Sequence, residues 1–207
     1  VSYKDFTLEK VRKQLGLALE SDRDLFSENI RPLPLAEPFT NYLNYSVPLA
    51  LAINTEKARS EMIIAPMLIE LKRLLDDQIS LFSGIEFNVD AERDLTGFCD
   101  FIVSLSRQQL YLSVPAFIVF EAKNENIKGG LGQCLAAMQA AQIFNEREGN
   151  AVPQIYGAVT TGNQWKFLSL KDNTAYIDLK DYYIDRIDHI MGILVGMVQP
   201  PMQVVTA

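Results

Sequence analysis

An α/β fold on a mixed sheet is predicted by three observations. Apolar runs with strand character lie close together at 84–90, 95–106 and 116–124. Helical patterns precede and follow them, and a hairpin pattern comes after the second helix. The 207 residues suffice for one full-sized core and are short for two.

Taken in order, Thr7 can cap a first helix with Leu8, Val11 and Leu15 on one face, ending near Gly16. The run IRPLPLAEP at 30–38 holds three prolines, which remove donors and fix φ, so it reads as an extended connector. Residues 1–53 are therefore expected to be an N-terminal helix and a Pro-rich connector packed on a core at 54–182. That core opens with a helix capped by Asn54 or Thr55, running to about Asp77 and kinked at Pro66. The run AFIVF at 116–120 is wholly apolar and suits a central strand buried on both faces. In GGLGQCLAAMQAAQIFNERE, Ala136, Ala137, Ala140 and Ala141 let a helix lie close on the sheet. QIYGAVTTG and QWKFLSL then form a hairpin turning at Gly162-Asn163, and TAYIDL is a candidate third strand. In 183–207, Ile184, Ile187, Met191, Leu194 and Val198 make one apolar stripe, which suits packing on its own domain or, as a second reading, a homodimer seam. The tail after Gln199 is expected to fray.

Composition narrows the chemistry. One histidine and two cysteines leave little material for zinc sites or histidine triads, and Cys99 and Cys134 read as buried free thiols of a reducing compartment. No apolar run is long enough to span a bilayer, and Val1–Asp5 lacks the layout of a secretory signal, so a cytoplasmic location without membrane contact is expected. The net charge of −7 argues against a protein that coats nucleic acid nonspecifically, since such binding needs Lys and Arg to displace phosphate counterions. Acidity does not exclude a metal-dependent enzyme, which itself needs carboxylates.

Three charged residues interrupt the apolar strands. Glu121 and Lys123 are two apart, so they leave the same face of a strand. Alone they suit an ion pair at a strand end. Asp100 sits inside FCDFIV, where a carboxylate is costly to desolvate without a cation. If their strands are neighbours, Asp100 and Glu121 can converge. With the backbone carbonyl of Ala122 they suit a hard octahedral cation such as Mg²⁺, with Mn²⁺ as a substitute.

The set Glu61 in a helix, Asp100, Glu121-Ala122-Lys123 with Asn124 after it, then Gln133 in the next helix, resembles the PD-(D/E)XK nuclease superfamily. Cys99 stands where the motif's name has Pro. ARSEMIIAPML is similar to the leading helix of the nuclease domains of type I restriction motor subunits. EAKNENIKGGLGQCLAAMQAAQIFN with IYGAVTTGNQWKFL is similar to a group of uncharacterised bacterial members.

The resemblance covers about 54–171 and implies a restriction-endonuclease-like core: a helix, three antiparallel strands, a helix and a further strand. It implies Mg²⁺-dependent hydrolysis of nucleic acid, with DNA as substrate and endonucleolytic cutting. Asp100 and Glu121 would hold the metal, Lys123 would act on the attacking water and the phosphate, Glu61 would hold a water or second ion, and Gln133 would bind the phosphate or Lys123. Glu61 also suits a solvated charge beside Arg59, and Gln133 an ordinary polar residue at a helix start. Lys123, Lys128, Lys166 and Arg59 are expected to relieve the charge at the mouth. The rival readings are a catalytically silent nucleic-acid-binding or assembly module on the same fold, and an unrelated interaction protein whose Glu121 and Lys123 merely pair.

GGLG at 129–132 lacks the Lys-Ser/Thr of a P-loop and reads as a helix start. Trp165 and Phe167 read as core, and His189 as structural.

Overall fold

In the computed structural model residues 2–199 are described, and the tail expected to fray lies outside them. Eight strands form one mixed sheet: β1 (Ala18–Glu20), β2 (Ser80–Glu86), β3 (Phe98–Ser104), β4 (Ala116–Ala122), β5 (Ile155–Thr160), β6 (Gln164–Lys171), β7 (Thr174–Ile177) and β8 (Tyr182–Tyr183). Their order is β1-β7-β6-β5-β4-β3-β2, with the short β8 against β6. The β4–β5 and β1–β7 pairs are parallel, and the other pairs are antiparallel.

The helices are α1 (Leu8–Gln14), α2 (Glu37–Ile53), α3 (Glu56–Arg59), α4 (Ala65–Leu74), α5 (Ile127–Arg147) and α6 (Ile187–Val198). A π-helical turn, Ser60–Ile64, joins α3 to α4. The expected sequence of a helix, three antiparallel strands, a helix and a further strand is present from α3 to β5.

Local chemistry explains the boundaries. The Thr7 hydroxyl accepts from the Lys10 N–H, and that of Thr55 from the Ala58 N–H, each satisfying a donor of the first turn. The helix from Glu56 widens into the π turn just before Pro66. Proline cannot donate, and in a regular helix its ring would press on the carbonyl four residues earlier. The wide turn accommodates it, so the kink expected at Pro66 takes this form. β4 is buried along its whole length, as its apolar run requires.

Three expectations need correction. The connector ends at Ala36, and α2 follows with Pro38 in its first turn, where a missing N–H does no harm, and with Pro48 inside. Residues 1–53 also supply β1, which pairs with β7. The strand expected at 84–90 instead runs from Ser80 to Glu86, because Ser80–Ser83 pair with Phe101–Ser104, and the chain then folds into the 3₁₀ turn Ala91–Arg93.

The sheet has a core on each face. One, holding Val119, Leu135, Met138 and Val159, lies under α5 and the N-terminal segment; the other, holding Ile63, Leu68, Phe120, Trp165 and Met191, lies under α2, α4 and α6. Trp165 and Phe167 are fully buried, and Cys99 and Cys134 are buried and free. Met191 and Leu194 of the α6 stripe are buried within the chain's own core. His189 lies on α6 beside Asp188 and Arg186, away from the motif residues. No described helix is long and apolar enough to cross a membrane.

Candidate metal and phosphate site

β4 and β5 are parallel neighbours joined through α5, so the end of β4 opens beside the start of a helix. Open α/β sheets commonly bind ligands at such carboxyl ends. Glu121 and Ala122 finish β4, and Lys123 continues it with its N–H on the Thr160 carbonyl at 2.8 Å. β3 runs antiparallel to β4, with Phe101 opposite Phe120, so Asp100 and Glu121 come one step further along on neighbouring strands. There a side chain continues the ladder: the Asp100 carboxylate accepts the Ala122 N–H at 2.7 Å.

Glu121, which is 4% exposed, pairs with Lys123 Nζ at 2.5 Å. The same ammonium donates to Gln133 Oε1 at 3.3 Å. A side chain at Gly130 would press on Val159 and on the Lys123 stem, so this glycine leaves the lysine its path along α5. Asp100, Glu121, Lys123 and Gln133 thus line one cavity of about 420 Å³, with Glu56, Phe98 and the N-terminal residues Ser2–Lys4 completing it.

The N-terminal wall is tied down. The buried Tyr3 hydroxyl donates to the Phe87 and Leu95 carbonyls. Phe6 and Thr7 lie so close to Gly132 of α5 that a Cβ there would collide with their backbone.

Burial, and then the Asp100 charge, push the Glu121 carboxyl up to about 8, and Lys123 offsets only part of this. Burial also raises Asp100, against the Ala122 N–H and the Lys123 charge. Burial would depress Lys123, but Glu121 foremost, with Glu56 and Asp100, holds its ammonium above the usual lysine range. The directions agree physically: one cation faces two buried carboxylates, so negative charge is in excess and the lysine remains protonated.

Among the described residues no group of three or more His, Cys, Asp or Glu side chains is arranged to hold a metal ion. The residues nevertheless fit a hard divalent cation. Asp100 and Glu121 each have two oxygens, of which one accepts from Ala122 or Lys123, and Mg²⁺ typically takes one or two carboxylates and keeps several waters. Ala122 is buried and lines an adjoining hollow with Asp100.

The structure brings Asp100, Glu121, Lys123 and Gln133 together, but Glu61 lies in the adjoining hollow, paired with Lys57 at 3.4 Å. The helix carboxylate that lines both spaces is Glu56, which sequence reasoning missed although it directly follows the Thr55 cap. The cations expected at the mouth also change. Arg59 is buried and donates to the Thr161 carbonyl and Asn54. Lys166 is held by the carbonyls of Asp178, Leu179 and Lys180 and by Asp181. Lys128 is exposed on the first turn of α5, and Lys4 joins Lys123 in lining the cavity. Asn124 lies beside the site with a buried side-chain oxygen that has no protein partner.

Compared with known proteins, the chain matches no protein-family model, no curated protein and no solved structure.

Proposed function

We propose that the protein is a Mg²⁺-dependent nuclease on a restriction-endonuclease-like core, hydrolysing phosphodiester bonds of DNA, with Asp100, Glu121, Lys123 and Gln133 as its working residues. The observation that carries this reading is the cavity in which one lysine bridges Glu121 and Gln133 while Asp100 stands beside them. The run of elements from α3 to β5 agrees with the PD-(D/E)XK resemblance.

Asp100 and Glu121 would hold the cation, which when bound polarises the phosphate and activates water. Lys123 would donate to phosphate oxygens as their charge grows and help orient the attacking water. Gln133 holds the ammonium from the helix side and fixes its direction. The burial of Glu121 excludes water from one side and strengthens its attraction for a cation.

The test is Mn²⁺ calorimetry together with cleavage of plasmid and single-stranded DNA by the wild type and Asp100→Asn, Glu121→Gln and Lys123→Ala. Both carboxylate variants should lose metal binding and cutting, while Lys123→Ala should keep metal and lose cutting. A wild type that binds metal and DNA without cutting would leave the catalytically silent module. One that binds no metal would overturn the reading.

A further inference from the structure

Phe98 is the first residue of β3 and is 65% exposed, yet it lines the same cavity as Asp100, Glu121 and Lys123. Other large apolar side chains, such as Tyr45, Leu110 and Tyr111, are exposed as well, but of these it is Phe98 that stands at the cavity. Its backbone is held by β2 and by the N-terminal segment. Phe98 pairs with Glu86 of β2, and Gly97 before it, at φ +129°, receives the Phe87 N–H at 2.7 Å and lies against Ser2 and Tyr3. The ring therefore stands on a fixed platform.

Two strand steps, with Cys99 between, separate Phe98 from Asp100, about 6.8 Å along the chain. A phosphate beside Asp100 thus leaves its own nucleotide's base within reach of the Phe98 ring, and Lys4 lies on the same cavity wall. Stacking on an aromatic side chain needs a base with a free face, which single strands offer and the interior of a duplex does not.

We propose that Phe98 is a base-stacking platform that positions single-stranded DNA, or a strand opened from a duplex, across the Asp100–Glu121 site. This rests on the nuclease reading above and adds the substrate form to it. One stacked base contributes ~1 to 3 kcal/mol. Phe98→Ala should therefore weaken binding of a 12-nucleotide oligothymidine by about 5- to 150-fold. A blunt duplex should bind the variant and the wild type alike.

The experiment measures anisotropy of both labelled oligonucleotides in Ca²⁺, with wild type, Phe98→Ala and Phe98→Trp, alongside Mn²⁺ calorimetry. Phe98→Trp should retain the affinity, and its indole emission, read against the buried Trp165, should be quenched by the oligonucleotide. The ring is exposed, so each variant should melt near the wild-type temperature. If wild type binds metal and oligonucleotide but Phe98→Ala binds the single strand equally well, or loses duplex binding to the same extent, the stacking role is wrong and the nuclease reading stands. If wild type binds neither metal nor DNA, both fall together.

Discussion

The Asp100 carboxylate accepts the Ala122 backbone N–H at 2.7 Å, so an acidic side chain completes a ladder between two strands. This gives Asp100 a structural task separable from any cation. Asp100→Asn keeps an acceptor oxygen, whereas Asp100→Ala orphans the N–H of a buried residue. An unsatisfied buried donor costs ~1 to 3 kcal/mol, so the Ala variant should be the less stable of the two by that order in denaturant melts. Both should lose Mn²⁺ binding.

Stability without metal should depend on pH through Glu121. Its carboxyl is raised to about 8 from the ordinary 4.5, by burial first and Asp100 second. Between those values the folded chain holds a proton that the unfolded chain has released, so stability falls as pH rises through the window. A loss on the order of a few kcal/mol is expected, with Asp100 contributing in the same sense. Denaturant melts from about pH 5 to about pH 8 should reveal it, and Glu121→Gln should flatten the slope. Mn²⁺ affinity should climb over the same range, because the cation displaces the proton.

Lys123→Ala should leave both carboxylates in place and remove the donor proposed for the reacting phosphate. A fall of about 10²- to 10³-fold in cleavage rate is expected, with metal affinity unchanged or higher. Gly130→Ala should act on the same lysine from the other side, since its methyl group would press on Val159 and the lysine stem. Overpacking of that kind costs ~1 to 3 kcal/mol. Melts and single-turnover rates should report both changes.

Glu56 and Glu61 should differ. Glu56 lines the cavity, and its charge acts on Glu121 and Lys123, whereas Glu61 pairs with Lys57 in the adjoining hollow. Glu56→Gln should change Mn²⁺ affinity and lower the pH of its midpoint, while Glu61→Gln should leave both near wild type. Calorimetry at several pH values distinguishes them.

The motif residues on strands were legible in the sequence because strand geometry is local. A charge inside an apolar run, and two charges one residue apart, fix their own sides and end positions. Gln133, two turns into α5, was reached only through the family resemblance, since a polar residue there carries no local signal of its own. Glu56 was not, because as the first residue of α3 it reads as an ordinary acidic residue after a cap, and the family likeness of ARSEMIIAPML favours Glu61 instead. α2 was hidden because Pro38 was counted with Pro32 and Pro34 in one extended run, although it fits an opening helical turn. The roles of Arg59 and Lys166 depend on carbonyls far along the chain, at Thr161 and at Asp178–Lys180, and no local pattern announces such partners.

The π turn at Ser60–Ile64 makes the leading helix a two-part screw with a phase offset at its joint. A wide turn holds one residue more than a regular one, and each residue of an α-helix advances the azimuth by about 100°. Deleting a single residue from 60–64 would let a plain helix run through with Glu56 and Arg59 still in phase with Met67 and Leu68, because the wide turn already absorbs that rotation, whereas a regular helix that kept every residue would turn them by about that angle. In that uninterrupted helix of unchanged length Arg59 would swing off the Thr161 carbonyl and Glu56 off the cavity. Single-residue deletions scanned along 56–74 should therefore be tolerated best at this joint, with metal affinity near wild type, whereas deletions within α4 should unfold the protein.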